Sequence, residues 1–329
     1  MRPLLEVKNL KKYFAVPNGY LHAVDDVSLS INEGETLGIV GESGCGKSTL
    51  GRVILRLHEP TSGNIIYDGM DITTFNKEEM RQMRKHMQII FQDPYASLNP
   101  RFTISQIIEE PLKLHKVYKT DKERKERVEE LMEYVGLPKR AYNLYPHEFD
   151  GGRRQRVVIA RALAINPKFI VCDEPVSALD VSVQAQILNL MMELQEKLGL
   201  TYIFISHDLS VVKHISDNIG VMYLGQLIEK ASKKDIFKKP LHPYTIALLS
   251  AIPSTNIKAK KKKIILKGEI VSPINPKPGC RFSVRCPFAT EQCTKEDPKL
   301  LEVEEGHFVA CFRCDEIKNG TLHFETKEL

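Results

Sequence analysis

The chain has 329 residues, 42% hydrophobic and 27% charged, a balance that suits an ordinary globular protein with one large α/β domain and a smaller appendage. A net charge of only +5 gives no global basic field of the kind that draws nucleic acid. No run approaches the roughly 18 apolar residues of a spanning helix, and residues 1–9 lack the apolar core of a signal peptide, so the chain is expected to stay in the cytoplasm and meet a membrane only through partners.

In chain order, Val27, Leu29 and Ile31 alternate with polar residues, the pattern of a half-buried strand. Thr36–Val40 is a short apolar run that ends at a glycine, which predicts a buried strand feeding a turn. A further strand is expected over 63–67, and the runs 87–91, 169–172 and 201–206 have the length of central parallel strands. Between the last two, Val183, Ile187, Met191 and Leu194 recur at near-helical spacing, which makes a βαβ unit. The charged stretch 121–135 reads as a helix stopped by Gly136 and Pro138, and it falls within a helical insertion of about residues 93–164. Pro253, Ser254 and Thr255 open a linker that continues into the lysine run 258–263. That sets the expected boundary between a domain over 1–252 and an extension over 253–329. The lysine run reads as a solvated linker, with anionic lipid or an acidic partner surface as the alternative. It lacks the interleaved aromatics of a nucleic-acid binder.

Residues 41–49, Gly-Glu-Ser-Gly-Cys-Gly-Lys-Ser-Thr, match G-x-x-x-x-G-K-[ST] completely and have a strand before and a helix after. Glycines let the backbone wrap closely, so that successive N–H groups point at phosphate oxygens. The positive end of the following helix adds to the attraction. Gly41, Ser43, Gly44, Cys45, Gly46, Lys47, Ser48 and Thr49 are thus the expected contacts of ATP. Lys47 is expected to reach the β- and γ-phosphates and Ser48 to ligate Mg2+. Asp173 and Glu174 follow the run 169–172, which puts two carboxylates at the C-terminal end of a central strand, where open α/β sheets bind ligands. Asp173 is expected to serve Mg2+ and Glu174 to orient or deprotonate the attacking water.

These residues resemble the nucleotide-binding subunits of ATP-binding-cassette (ABC) transporters. Asp173-Glu174-Pro175 followed by Ser177-Ala178-Leu179-Asp180 is similar to that family's acidic strand and D-loop. Ser206-His207-Asp208 resembles its switch histidine, Phe91-Gln92-Asp93-Pro94 its Q-loop, and residues 149–156 its signature segment. The resemblance spans about residues 5–250. It implies a P-loop NTPase core, mainly a parallel sheet with an antiparallel β subdomain and a helical insertion, plus a small cysteine-rich extension. In that setting Gln92 would ligate Mg2+ or the attacking water, and His207 would donate to the γ-phosphate. Phe14 would stack on adenine, with Tyr13 as the alternative. FQDPYASLNP (91–100), LHPYT (241–245) and SPINPKPGC (272–280) are similar to the oligopeptide/dipeptide importer ATPases. That kinship implies import of di- or oligopeptides, with nickel or oligosaccharides as alternative cargoes. It also implies a paralogous ATPase as heterodimer partner, two transmembrane permease subunits, an extracellular substrate-binding protein and a peripheral place at the cytoplasmic face of the cell membrane. A soluble cassette ATPase acting on nucleic acid or ribosomes would usually show two fused cassettes or a long coiled-coil insertion, and neither is present.

The signature departs from the family. Asp150 stands where Ser is usual, ahead of Gly151 and Gly152, and Arg153 where Gln is common. Asp is an excellent N-cap, so a helix over 151–164 is expected regardless. A carboxylate facing a partner-held γ-phosphate at about 4 Å would be repelled by on the order of 4 kcal/mol at an effective dielectric of 20, before screening. The composite site that uses this chain's signature is therefore expected to be weak. The site that uses its own Lys47, Glu174 and His207 should be competent if a partner supplies an intact signature. A purely regulatory, non-catalytic subunit has Asp150 as its only support, and retention of Glu174 and His207 speaks against it.

Of seven cysteines, Cys45 and Cys172 stand alone, while Cys280, Cys286, Cys293, Cys311 and Cys314 crowd the last 50 residues. In a cytosolic chain such a cluster reads as a metal or redox site. Four thiolates from Cys280, Cys286, Cys293 and Cys311 could hold a [4Fe–4S] cluster or Zn2+. The lack of a zinc-ribbon C-x2-C pair among the first three leans towards iron–sulfur. Cys314 is the alternative fourth ligand, and kinship favours Cys311.

Overall fold

The computed structural model describes residues 2–252, 264–266, 268 and 272–324. The expected linker and lysine run 253–263 lie outside the described residues. The chain forms two compact units, one of residues 1–5, 31–36 and 67–206, the other of residues 6–30, 37–66 and 207–329.

The first unit is organised around Met87–Ile90, Phe169–Asp173 and Thr201–Ile205, which pair in parallel with Met87 opposite Phe169 and Asp173 opposite Ile205. Every residue of the last two strands is buried, which is why they read as unbroken apolar runs rather than alternating ones. The helix Val181–Leu198 joins them and buries Ile187, Leu188, Leu190, Met191 and Leu194 on one face. It ends where Gly199 turns left-handed at φ 65°. The insertion contains the helices Ile104–His115, Asp121–Tyr134 and Gly151–Leu163. The first two open on reciprocal capping boxes, Thr103 with Gln106 and Thr120 with Glu123. The stop at Gly136 is realised by its φ of 69°.

In the second unit, the strand Thr36–Val40 runs parallel to Asn218–Tyr223, with Val40 opposite Val221. Asn218–Tyr223 turns back as Gln226–Ser232 through Leu224 and Gly225, at φ 44° and 86°, the paired positive values of a tight hairpin turn. The cysteine-rich extension is part of this unit. Its strand His307–Val309 pairs antiparallel with Gln226–Ser232 and with Leu301–Glu304, and so covers what would be an open sheet edge. A separate sheet places Leu5–Val16 between Gly19–Ile31 and Ser62–Tyr67.

Candidate nucleotide-binding site

In the second unit, the five buried residues of Thr36–Val40 deliver the chain into the phosphate loop, and Lys47–Ile54 carries it away as a helix. Close packing enforces two of the loop glycines. Gly46 is left-handed at φ 103°, and a Cβ there would lie 2.0 Å from the Ala23 carbonyl oxygen. A Cβ on Gly41 would lie 2.3 Å from the Met222 carbonyl oxygen. Ser43 and Gly44 at the tip are exposed, while Cys45 and Lys47 are buried. The Lys47 ammonium donates to the carbonyls of Gly41 and Glu42 at 2.8 and 3.0 Å. Burial raises the Cys45 thiol above its ordinary pKa, with the nearby Lys47 charge opposing. Ser48 and Thr49 are half-buried at the start of the helix. An exposed loop tip of backbone amides, backed by a buried cation and a helix N-terminus, is suited to the phosphates of a nucleotide.

The two aromatic candidates differ in their surroundings. Tyr13 stacks on His22 with centroids 3.8 Å apart and donates its hydroxyl to Asp25 at 2.5 Å. Burial works against the Asp25 carboxylate, yet hydrogen bonds from Tyr13 and His22 and the charge of Arg281 hold its pKa below the usual range. Phe14 is half-buried, edge-on to His58 at 5.6 Å, with the Lys12 ammonium 4.9 Å from its ring centre. Tyr13 is thus engaged in an ionic network, which leaves Phe14 as the candidate for a base. His207 is exposed, and the following Asp208 caps the helix Leu209–Ile215 by accepting from Ser210 N–H at 2.7 Å.

In the first unit, the parallel register sets Ile90 opposite Cys172, so Gln92 and Glu174 emerge from neighbouring strand ends. The Gln92 amide donates to the Glu174 carboxylate at 3.2 Å. Two residues 82 positions apart are therefore brought together. Asp173 is 3% exposed. Glu174 is held left-handed at φ 50° and donates its N–H to the Ile205 carbonyl at 3.0 Å. Non-glycine residues in that conformation cluster at functional sites. Asp150 caps Gly151–Leu163 as expected, accepting from Arg153 N–H at 2.8 Å. Its second oxygen lies 3.4 Å from the Arg153 guanidinium, and the side chain is 65% exposed. A Cβ on Gly152 would fall 2.6 Å from the Val183 side chain, so any larger residue there would force that side chain of the helix Val181–Leu198 to shift.

Cys280, Cys286, Cys293 and Cys311 line one small cavity together with Phe282, Phe288 and Phe312. Cys314 is not among its walls and begins the helix Cys314–Lys318. Burial pushes Cys280 up to about 11 and Cys311 up to about 12, so all but a small fraction of these two groups are neutral thiols at pH 7. Metals take thiolates. Among the described residues no group of three or more His, Cys, Asp or Glu side chains is arranged to hold a metal ion. The expected ligand set Cys280, Cys286, Cys293 and Cys311 is therefore not assembled among the described residues, for a [4Fe–4S] cluster or for Zn2+.

Sequence reasoning missed Glu42, Tyr244 and Arg285 as parts of the loop's support. Glu42 donates its N–H to the Tyr244 hydroxyl at 2.9 Å, and its carboxylate takes two hydrogen bonds from Arg285 at 2.8 and 3.1 Å. Tyr244 lies in the LHPYT segment, singled out only for its kinship. Nothing in the sequence pairs positions 42 and 285.

The family model described as ABC transporter matches residues 24–177, and that of the oligopeptide/dipeptide transporter C-terminal region matches residues 228–293. The chain is 54% identical to the oligopeptide transport ATP-binding protein AppF of Bacillus subtilis over 94% of its length and 96% of the relative's. It belongs to the ABC transporter family, in the oligopeptide/dipeptide branch. This ABC ATPase is also 51% identical to the dipeptide transport ATP-binding protein DppF of Haemophilus influenzae, over 95% of its own length and 97% of that relative. Among solved structures, the dimeric post-hydrolysis ATP-binding cassette MJ0796, bound to ADP and Pi, aligns with a TM-score of 0.64 at 31% identity. It covers 70% of this chain and 98% of its own. The cassette cbiO1 of Clostridium perfringens gives a TM-score of 0.65 at 28% identity, covering 73% and 92%. As expected, the core is an ABC cassette.

Proposed function

We propose that this ABC ATPase powers uptake of di- or oligopeptides, the cargo class named for its relatives AppF and DppF. The observation that carries the reading is the phosphate loop, with its exposed glycine tip and buried Lys47. Lys47 and the loop amides take the β- and γ-phosphates, and Phe14 takes the adenine face. Ser48, Gln92 and Asp173 serve Mg2+, which when bound neutralises phosphate charge. Glu174, held by Gln92, orients and accepts a proton from the attacking water, and His207 donates to the charge developing on the γ-phosphate. No helix among the described residues is long and apolar enough to cross a membrane, so the reading includes permease subunits to carry the substrate path and an extracellular substrate-binding protein to deliver the peptide. The chain would dock on those permeases at the cytoplasmic face.

The partner ATPase in this reading is a paralogue rather than a second copy. Asp150, which caps Arg153 N–H, sets a carboxylate beside the Gly151 and Gly152 amides meant to face phosphate, so two identical chains would give two weakened sites, and a partner with Ser there would give one sound site. For the four cavity-lining thiols we infer a [4Fe–4S] cluster, supported by four soft donors lining one largely apolar space. Deprotonation of buried thiols would accompany its binding.

The reading is tested by two substitutions in the reconstituted complex. Lys47→Ala is expected to lose nucleotide uptake, and Glu174→Gln to bind Mg-ATP but retain it unhydrolysed, stopping peptide uptake. A Glu174→Gln complex that turns over ATP normally refutes the assignment.

A further inference from the structure

Glu42, the second residue of the phosphate loop, is held at three points. Its carbonyl accepts from Lys47, its N–H donates to Tyr244, and its carboxylate takes two hydrogen bonds from Arg285. Two of those three ties come from far along the chain, 202 and 243 positions away. The Arg285 side chain is 9% exposed and that of Glu42 24%, so the pair is only partly screened by water.

Arg285 sits on a short turn whose two ends are cysteines of the thiol cavity. Cys280 N–H donates to the Cys293 carbonyl and Cys286 N–H to the Phe282 carbonyl, which closes the turn. From it, Phe282 enters an aromatic cluster with Tyr223 and Tyr244 at centroid distances of 5.3 and 5.5 Å. Arg281 reaches the Leu224 carbonyl and Asp25. One face of the turn is therefore fixed to the phosphate loop and its surroundings, and the flanking cysteines face the cavity shared with Cys293 and Cys311.

We propose that Arg285 is a positioning residue for nucleotide binding, through which the cysteine-rich extension sets the ATP affinity of the phosphate loop. The inference rests on the reading of residues 41–49 as the ATP site. With Arg285 in place, the Glu42 charge is neutralised by two hydrogen bonds. Without it, a free carboxylate stands one residue from the amides that must receive an anion.

The test is equilibrium binding of a fluorescent ATP analogue with Mg2+ to the full chain, in wild type, Arg285→Gln, Arg285→Lys and the double variant Glu42→Gln/Arg285→Gln. Arg285→Gln should weaken binding about tenfold, the scale of one uncompensated like charge in a half-buried setting. Arg285→Lys should recover part of that loss. The double variant should bind within about twofold of wild type, because the charge that Arg285 neutralises is gone. In the assembled transporter, Arg285→Gln should raise KM for ATP with kcat little changed. Unaltered affinity in Arg285→Gln overturns the proposal, as does a double variant as weak as the single one, which would make Arg285 a packing residue only. If wild type itself takes up no Mg-ATP, it is the nucleotide-site reading that fails.

Discussion

Glu229 is a fully buried carboxylate in the strand Gln226–Ser232, and the extension hangs on it. A β-bulge between Leu227 and Glu229 breaks the alternation of that strand, so Leu227, Ile228 and Glu229 are all buried. The Glu229 carboxylate accepts from Leu241 N–H at 2.7 Å and His242 N–H at 3.1 Å, and pairs with His307 Nε2 at 2.8 Å. His307 is itself 1% exposed and begins the strand His307–Val309 of the extension. Glu229→Ala would thus leave two buried backbone donors and a buried imidazole without their acceptor. Each such orphan costs about 1–3 kcal/mol, and water entering the vacated space would offset part, so a net loss of about 3–6 kcal/mol is expected. Urea unfolding of the purified chain measures it as a fall in midpoint at unchanged slope. Glu229→Gln should fall between the two, since it keeps one acceptor but turns an amide N–H towards backbone donors. A loss below about 1 kcal/mol for Glu229→Ala would refute the claim that one carboxylate ties the hairpin, the LHPYT segment and the strand His307–Val309 together.

The signature and the cysteines supply two further tests. Asp150→Ser should raise ATPase turnover of the assembled complex severalfold, well short of the unscreened repulsion because the carboxylate is exposed and paired with Arg153. An unchanged rate in the complex would dispose of the asymmetric-site argument. On anaerobic purification, Cys311→Ser should lose iron, sulfide and visible absorbance while Cys314→Ser keeps them, because only Cys311 lines the cavity. Zinc at unit stoichiometry without a chromophore in wild type would overturn the cluster.

What could be read from the residues, and what could not, follows from where the information lies. The strands Phe169–Asp173 and Thr201–Ile205 were legible because every position is buried, so Phe169–Cys172 and Tyr202–Ile205 are continuous apolar runs and the run itself is the signal. The helix Gly151–Leu163 was legible because its cap is local: Asp150 accepts a bond from a residue three positions on. The hairpin of Asn218–Tyr223 and Gln226–Ser232 went unread because its turn, Leu224-Gly225, lacks the Asn-Gly or Asp-Gly signal and its second strand is bulged out of period 2. The strand His307–Val309 is too short to show a period at all. The phosphate loop divides along the same line. Its glycines, lysine and hydroxyls are contiguous, and a pattern of nine residues names them. The groups that hold its shape, Tyr244 and Arg285, reach it only after the sheet and the cysteine-bearing turn have formed. Their identity as supports is therefore a tertiary fact. A substitution at Arg285 would disturb ATP binding while leaving every recognisable motif of the cassette intact.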